Sequence, residues 1–191
     1  MKQIGVLGFQ GSVEEHMSML RSIGVKTVRV NAEKTLSEVD ALIIPGGEST
    51  TFLKILHFSR IYEPLKAKIK QGLPIMATCA GIILLASHID HLTQESMGIL
   101  PISVNRNGYG RQIASFCEEI AVDGLTEPFK AIFIRAPILS KVDPSVKIIA
   151  HDSSGNAVLV QKEKILGATF HPELTDDHRI HEIFIHLLDK I

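Results

Sequence analysis

The stretch Ile75-Met76-Ala77-Thr78-Cys79-Ala80-Gly81-Ile82-Ile83-Leu84-Leu85-Ala86 decides the fold. A short apolar run ends in a thiol flanked by small residues, and a second apolar run begins at once. It reads as strand, sharp turn, helix. Such a turn pushes its central side chain out of the sheet, and it needs small neighbours because the backbone is tight and a substrate must come close. The unpaired N–H groups and positive dipole end of the following helix stabilise an anion formed beside Cys79. Cys79 is therefore a candidate nucleophile, to be weighed against the ordinary reading of a cysteine as a small buried hydrophobe.

Working outward, strands and helices alternate through the first half. Residues 3–7, 26–30, 41–44 and 73–78 read as buried strands. Ser12-Val13-Glu14-Glu15 has the form of a capping box, opening a helix with Val13, Met17, Leu20 and Ile23 or Gly24 on one face. Residues 51–58 and 61–71 read as helices, the second closed by Gly72. The second half has more strand character, over 98–104, 113–122, 131–135, 146–150, 157–161 and 165–170. It ends in an amphipathic helix with Ile180, Phe184, Leu187 or Leu188 and Ile191 as its stripe, capped by Thr175 or Asp176. This alternation predicts a single α/β domain over residues 1–191, three-layered, with a largely parallel central sheet and its active groups at the carboxyl ends of the strands.

Two further segments meet that edge. In Thr169-Phe170-His171-Pro172-Glu173 the proline holds His171 extended, so His171 and Glu173 project from one side of the chain as an imidazole with a carboxylate beside it. Cys79, His171 and Glu173 together supply a nucleophile, a base and an orienting acid. Gly46-Gly47 directly follows the strand at 41–44, and two glycines there allow the Gly47 N–H, with that of Ala80, to form an oxyanion hole. By itself Pro45-Gly46-Gly47 would read as a tight turn; its place opposite a nucleophile favours the functional reading.

Composition narrows the class. A chain of 191 residues should bury roughly 70% of its unfolded surface, enough for a full core. Twenty basic and 21 acidic residues leave a net charge of −1 without like-charge blocks, which speaks against nucleic acid and anionic membranes as partners. No run is long enough to span a bilayer and the first residues lack a signal-peptide pattern, so a cytoplasmic protein is expected. Two cysteines, Cys79 and Cys117, make no disulfide framework; Cys117 reads as a packed strand residue. The glycines of residues 5–11 lack dinucleotide-binding spacing. His88 with His91, and His178 with His181 and His186, are metal candidates only in name, because no cysteine or carboxylate shell joins them; they read as solvated faces. The chemistry calls for no metal and no cofactor.

The runs Pro45-Gly46-Gly47-Glu48-Ser49-Thr50-Thr51, Ala77-Thr78-Cys79-Ala80-Gly81 and Phe170-His171-Pro172-Glu173 resemble the class I glutamine amidotransferase family, whose fold is flavodoxin-like. Arg106-Asn107-Gly108-Tyr109-Gly110-Arg111-Gln112, Phe133-Ile134-Arg135-Ala136-Pro137 and Leu174-Thr175-Asp176-Asp177-His178-Arg179 narrow the resemblance to the glutaminase subunits of pyridoxal 5′-phosphate synthases. The resemblance implies that Cys79 attacks the side-chain amide of L-glutamine, that His171 passes its proton to the leaving ammonia, and that Glu173 orients His171. It further implies that Gly46, Gly47, Glu48, Ser49, Arg106, Ile134 and Arg135 hold the glutamine. The ammonia would go to a (βα)8-barrel synthase subunit in a large hetero-oligomer, for vitamin B6 biosynthesis. Ala77 stands where many members have glycine, and the residue expected to need unusual backbone angles is Cys79 itself. Gln10 and Gly11, at the end of the first strand, are candidate sensors of the partner, with the Gly46-Gly47 peptide as the switch. A stand-alone cysteine hydrolase and a non-catalytic binding module are the competing readings, separated from the first by an ammonia-release assay.

Overall fold

The computed structural model describes residues 2–91, 94–106, 108–109 and 115–189. Asn107, Gly110, Arg111 and Gln112 of the Arg106 run, Ile113 at the start of a predicted strand, and Ile191 of the predicted stripe lie outside the described residues.

Apolar runs with no polar alternation must be covered on both sides, and β3 (Ala41–Ile44) and β4 (Ile75–Thr78) are buried at every position. They lie inside a seven-stranded sheet with β1 (Gln3–Leu7), β2 (Lys26–Val30), β10 (Lys147–His151), β11 (Ala157–Lys162) and β12 (Ile165–Ala168). The order is β10-β11-β12-β4-β3-β1-β2, and the five strands from β12 to β2 run parallel. Only β10 and β11 add antiparallel edges. Because β1 sits between β2 and β3, the chain changes its direction of travel there, and loops diverging from such a point leave a crevice at the strand ends.

Each face of the sheet carries its own core. On one, α3 (Ser49–Phe58), α4 (Tyr62–Lys70) and α5 (Ala80–Leu85) bury Phe52, Leu56, Leu65 and Ile82, continuous with a small sheet of β5 (Ala86–Ile89), β6 (Leu100–Asn105) and β9 (Ile138–Val142). On the other, α1 (Val13–Ser22) and α6 (Arg179–Asp189) bury Val13, Met17, Leu20, Phe184 and Leu188 against the hairpin β7 (Ser115–Ile120) and β8 (Phe129–Ile134). Phe133 and Phe170 are fully buried there, each contributing about 1.5–3 kcal/mol. The expected three-layer α/β architecture is thus present. Among the described residues no helix is long and apolar enough to cross a membrane.

Several local expectations are corrected. The helix after Cys79 stops at Leu85, and Ala86–Ile89 pairs as β5 with β6; an unbroken apolar run carries no period to mark the change. Strand β9, with Ser140 and Lys141 in its centre, and the short helix α2 (Glu33–Ser37) were not expected. Ser12 occupies the N-cap of α1 but makes no capping bond, because its φ of −76° and ψ of 52° lie outside the extended region that aims a cap oxygen at the helix. At the start of α6 the carboxylate accepting a helix N–H is that of Asp177, 3.1 Å from the Arg179 nitrogen, in place of Thr175 or Asp176. Cys117 is exposed: in β7 the alternation turns Phe116 inward, which sends its neighbour to solvent.

Candidate active site

Strand β4 ends at Thr78, α5 begins at Ala80, and Cys79 alone makes the turn, with φ of 47° and ψ of −106°. A side chain at such angles costs about 1–3 kcal/mol and persists only where the surroundings enforce it. Here the Cys79 N–H donates to the Ala168 carbonyl at 2.9 Å, and a Cβ at Gly81 would lie 2.2 Å from the Ile44 carbonyl oxygen, so the helix enters against the neighbouring strand. Ala77 is a regular buried residue of β4, outside the turn, so its methyl leaves the elbow untouched. Cys79 is buried, with a relative exposure of 6%, and its Sγ lies 3.7 Å from the Ile134 carbonyl oxygen.

His171 follows the end of β12 and is fixed by its own N–H, which donates to the Ile132 carbonyl at 2.8 Å. With φ of −111° and ψ of 85° it is extended, as a residue before proline must be. The chain then turns: Pro172–Leu174 is a 3-10 helix, so Glu173 reaches His171 by a tight turn and not along an extended strand. Nδ1 of His171 lies 2.7 Å from Oε1 of Glu173, both side chains being buried. Burial pushes His171 down, but hydrogen bonds to Cys79 and Glu173 outweigh it and raise its pKa to about 10. Burial likewise pushes Glu173 up, yet His16 and the bond from His171 hold its carboxyl at about 2. The site therefore keeps a carboxylate on one ring nitrogen and a protonated imidazole beside the sulfur.

Two members of this cluster were not anticipated. His16 of α1 and His181 of α6 are fully buried, with His16 Nδ1 2.9 Å from His181 Nε2 and His16 Nε2 3.4 Å from Glu173 Oε2. Reading His178 and His181 as one solvated face is therefore wrong for His181, while His178 is partly exposed. The available signal was position: His16 follows Val13 by three on the apolar stripe of α1, and His181 precedes Phe184 by three on that of α6.

The other candidates gather at the same edge. Gly46 passes so near the triad that a Cβ there would lie 2.4 Å from His171 Cε1 and 3.3 Å from Cys79 Cβ. Gly47, with φ of 153°, lies beneath the Gln10 side chain, whose Nε2 donates to the Glu48 carbonyl at 2.7 Å. Gly11, with φ of 80°, is pressed on the Gly46 carbonyl, where a Cβ would come within 1.6 Å of the oxygen. Glu48 caps α3, accepting from the Thr50 and Thr51 N–H groups at 3.1 and 2.6 Å. Burial opposes its ionisation, but these bonds prevail and hold it at about 2. Arg106 spends its fork on Glu48 Oε1 at 2.9 Å, Thr50 Oγ1 at 3.1 Å and Gln94 Oε1 at 2.6 Å, so it braces the loop. Gln94, not singled out from the sequence, also donates to Ser49 Oγ at 3.3 Å. A cavity of about 520 Å³ opens over Cys79, walled by Gly47, Glu48, Ser49, Arg106, Ile134 and Arg135, with Ala80, His171 and Gly11 on its margin. Arg135 holds a left-handed φ of 45°, which turns the chain at the cavity rim just after β8. The sequence candidates are thus brought together almost without exception.

Residues 6–190 match the SNO glutamine amidotransferase family. The chain belongs to that family. Among its relatives is the pyridoxal 5′-phosphate synthase subunit PdxT of Thermotoga neapolitana, 49% identical over 97% of this chain and 99% of that protein. The subunit of the same name from Bacillus pumilus is 44% identical over 98% of this chain and 95% of its own length. A solved structure described as a glutamine amidotransferase superposes with a TM-score of 0.92 at 38% identity, covering 97% of this chain and 98% of that one. PurLQS of Thermotoga maritima shares the fold, with a TM-score of 0.73 at 17% identity over 98% of this chain and 100% of that one. As a member of the family the chain is a glutamine amidotransferase.

Proposed function

We propose that the chain hydrolyses L-glutamine to L-glutamate and ammonia through Cys79, His171 and Glu173, and that the ammonia passes to a (βα)8-barrel synthase subunit that builds pyridoxal 5′-phosphate. The observation that carries the chemistry is the meeting, at one cavity, of a cysteine on a strained elbow with an imidazole whose far nitrogen is tied to a buried carboxylate at 2.7 Å. The names of the PdxT relatives, matched over nearly full length, support the destination of the ammonia.

The sulfur forms a bond to the side-chain amide carbon of glutamine while the carbonyl π electrons move to oxygen, where the N–H groups of Gly47 and Ala80 receive the charge. As that oxyanion collapses, the C–N bond breaks, and the nitrogen takes the proton held on His171 Nε2 and leaves as ammonia. His171, now neutral, removes a proton from water, whose oxygen attacks the thioester; glutamate departs and the proton remains on the imidazole for the next cycle. Glu173 keeps the proton on Nδ1 throughout, so that Nε2 is the nitrogen facing the sulfur. Glu48, Ser49, Ile134 and Arg135 form the wall that admits glutamine, with Arg106 stiffening it from behind. Free ammonia is protonated and diluted in water, which gives coupling to an acceptor its value. Two adjacent glycines let the Gly46-Gly47 peptide rotate cheaply, and Gln10 and Gly11 lie directly on that peptide, so a docked synthase acting there would aim or misdirect one oxyanion donor.

The test is ammonia release from the chain with and without the synthase subunit, for the parent and for Cys79→Ala. The parent is expected to gain about 10²–10³ in rate on adding the partner, the worth of one oxyanion donor, while Cys79→Ala stays inactive in both states. Ammonia release by Cys79→Ala near the parental rate would remove Cys79 from the reaction, and full activity of the parent alone would remove the switch.

A further inference from the structure

Four elements converge behind the triad in a region without solvent. His16 from α1, His181 from α6, Thr78 at the end of β4 and Glu173 from the turn after His171 are all buried, the first three with no exposed surface. His16 Nε2 is 3.4 Å from Glu173 Oε2 and 3.2 Å from Thr78 Oγ1, and its Nδ1 is 2.9 Å from His181 Nε2. Among the described residues His181 Nδ1 and Glu173 Oε2 have no partner in hydrogen-bond geometry, and His16 Nε2 faces that orphaned oxygen at 3.4 Å. Two imidazoles buried in a row behind an active-site carboxylate are costly to keep, since an apolar pair of similar size would fill the same space without polar atoms to satisfy.

We propose that His16, itself oriented by His181, is a positioning residue of the reaction: it holds the second oxygen of Glu173 so that the first stays on His171 Nδ1. The proposal rests on reading Cys79, His171 and Glu173 as the triad.

Hydrogen-bond accounting selects one arrangement. If the single proton of His181 sits on Nδ1, it is a buried N–H without an acceptor; His16 must then donate from Nδ1, and its Nε2 lone pair faces the carboxylate. If the proton sits on Nε2, it is donated to His16 Nδ1, and His16 Nε2–H points at Glu173 and Thr78. Only the second arrangement places an N–H against the negative charge; it leaves the His181 Nδ1 lone pair bare, and Glu173 Oε2 meets that N–H at 3.4 Å as a charge–dipole contact. Burial holds both rings in their neutral forms, His181 at about 3, against the pull of Glu173; Glu15 also bears on His16 from its own helix, and His171 and His178 oppose a further charge. The result is a directional chain from His181 through His16 to Glu173 Oε2, met from the other side by His171 at Oε1. Without His16 the carboxylate has one fixed oxygen and is free to rotate about it, which slackens the imidazole facing the sulfur.

The test uses turnover with the synthase subunit present and Cys79 chemistry in the full chain alone. His16→Leu is expected to lower kcat for ammonia release about 10- to 100-fold, the range for leaving a buried charge without its polar neighbour, with KM for glutamine held within about twofold. His16→Gln, whose amide nitrogen reaches the place of Nε2, is expected to keep kcat within about fivefold, and His181→Leu to lose about 3- to 10-fold. Iodoacetamide alkylation of Cys79 at neutral pH should fall in the same order, and the downfield proton resonance of His171 Nδ1–H should move in His16→Leu but not in His16→Gln. A purely structural pair would change melting temperature and leave these readouts alone. Parental kcat and alkylation in His16→Leu would overturn the proposal. Should that variant fail to fold, parental kcat in His181→Leu, or a more than tenfold loss in a fully folded His16→Gln, would overturn it instead. Ammonia release by Cys79→Ala would strike the triad reading itself, which keeps the two failures distinct.

Discussion

Gly46→Ala isolates the geometry of the site in one methyl group. Gly46 is not among the residues with positive φ, so alanine meets no backbone penalty, and the whole effect is steric. Its Cβ would stand 2.4 Å from His171 Cε1, 3.1 Å from Nδ1 and 3.3 Å from Cys79 Cβ. Ordinary carbon contact lies near 3.5–4.0 Å, so the ring must retreat by about 1 Å. It cannot do so freely, because Nδ1 is bound to Glu173 at 2.7 Å and the His171 backbone to Ile132 at 2.8 Å. A displacement of that size at a reacting group costs about 10²-fold in rate, and overpacking adds about 1–3 kcal/mol of destabilisation. The assay is steady-state ammonia release with the synthase subunit present, alongside thermal unfolding. The expected result is a fall in kcat of about 10²-fold with a smaller change in KM. Gly47→Ala differs in kind: its Cβ would meet only the end of the flexible Gln10 side chain at 3.1 Å, so its cost comes from the backbone, whose φ of 153° strains an L side chain. Turnover of Gly46→Ala within threefold of the parent would show that His171 is not held fixed beside Gly46 during the reaction.

Two further predictions concern stability. Cys79→Gly and Cys79→Ala both lack the thiol, but glycine relieves the strain at φ of 47°; after the entropy it loses on folding, it should be more stable than alanine by about 1 kcal/mol, or about 2–4 °C in melting temperature. Equal or reversed melting temperatures would mean an unstrained elbow. In acid, His181 binds its proton at about 3 when folded and near 6.5 when unfolded, so the unfolded state takes up the extra proton and stability falls as pH drops below 6.5. The slope is about 1.4 kcal/mol per pH unit for this group between those limits. Glu173 contributes in the same sense only below about 4.5, and the stability conferred by His171 is complete below 6.5, so neither masks it. Urea unfolding of the parent and His181→Leu at pH 7 and pH 5 checks this, the variant being expected to show the shallower dependence.

The amino-acid sequence by itself determined the strands β3 and β4, the elbow at Cys79, the proline-held His171 and the layering of the sheet, because each depends on near neighbours: unbroken apolar runs, small residues at a tight turn, a ring on the following nitrogen. The sheet edge on which the candidates would meet followed from strand and helix alternation alone. Tertiary structure decided what those residues meet. Arg106 is a loop brace because Glu48 and Thr50 come to it from 58 and 56 positions away, and Gly46 is obligatory because His171 passes beside it. His16 finds His181 across 165 positions, and a histidine on an apolar stripe has no local feature to say whether water or a second ring will face it. Backbone angles are set by atoms a few bonds away, whereas the charge and orientation of a buried polar group are set by whatever distant segments exclude water around it.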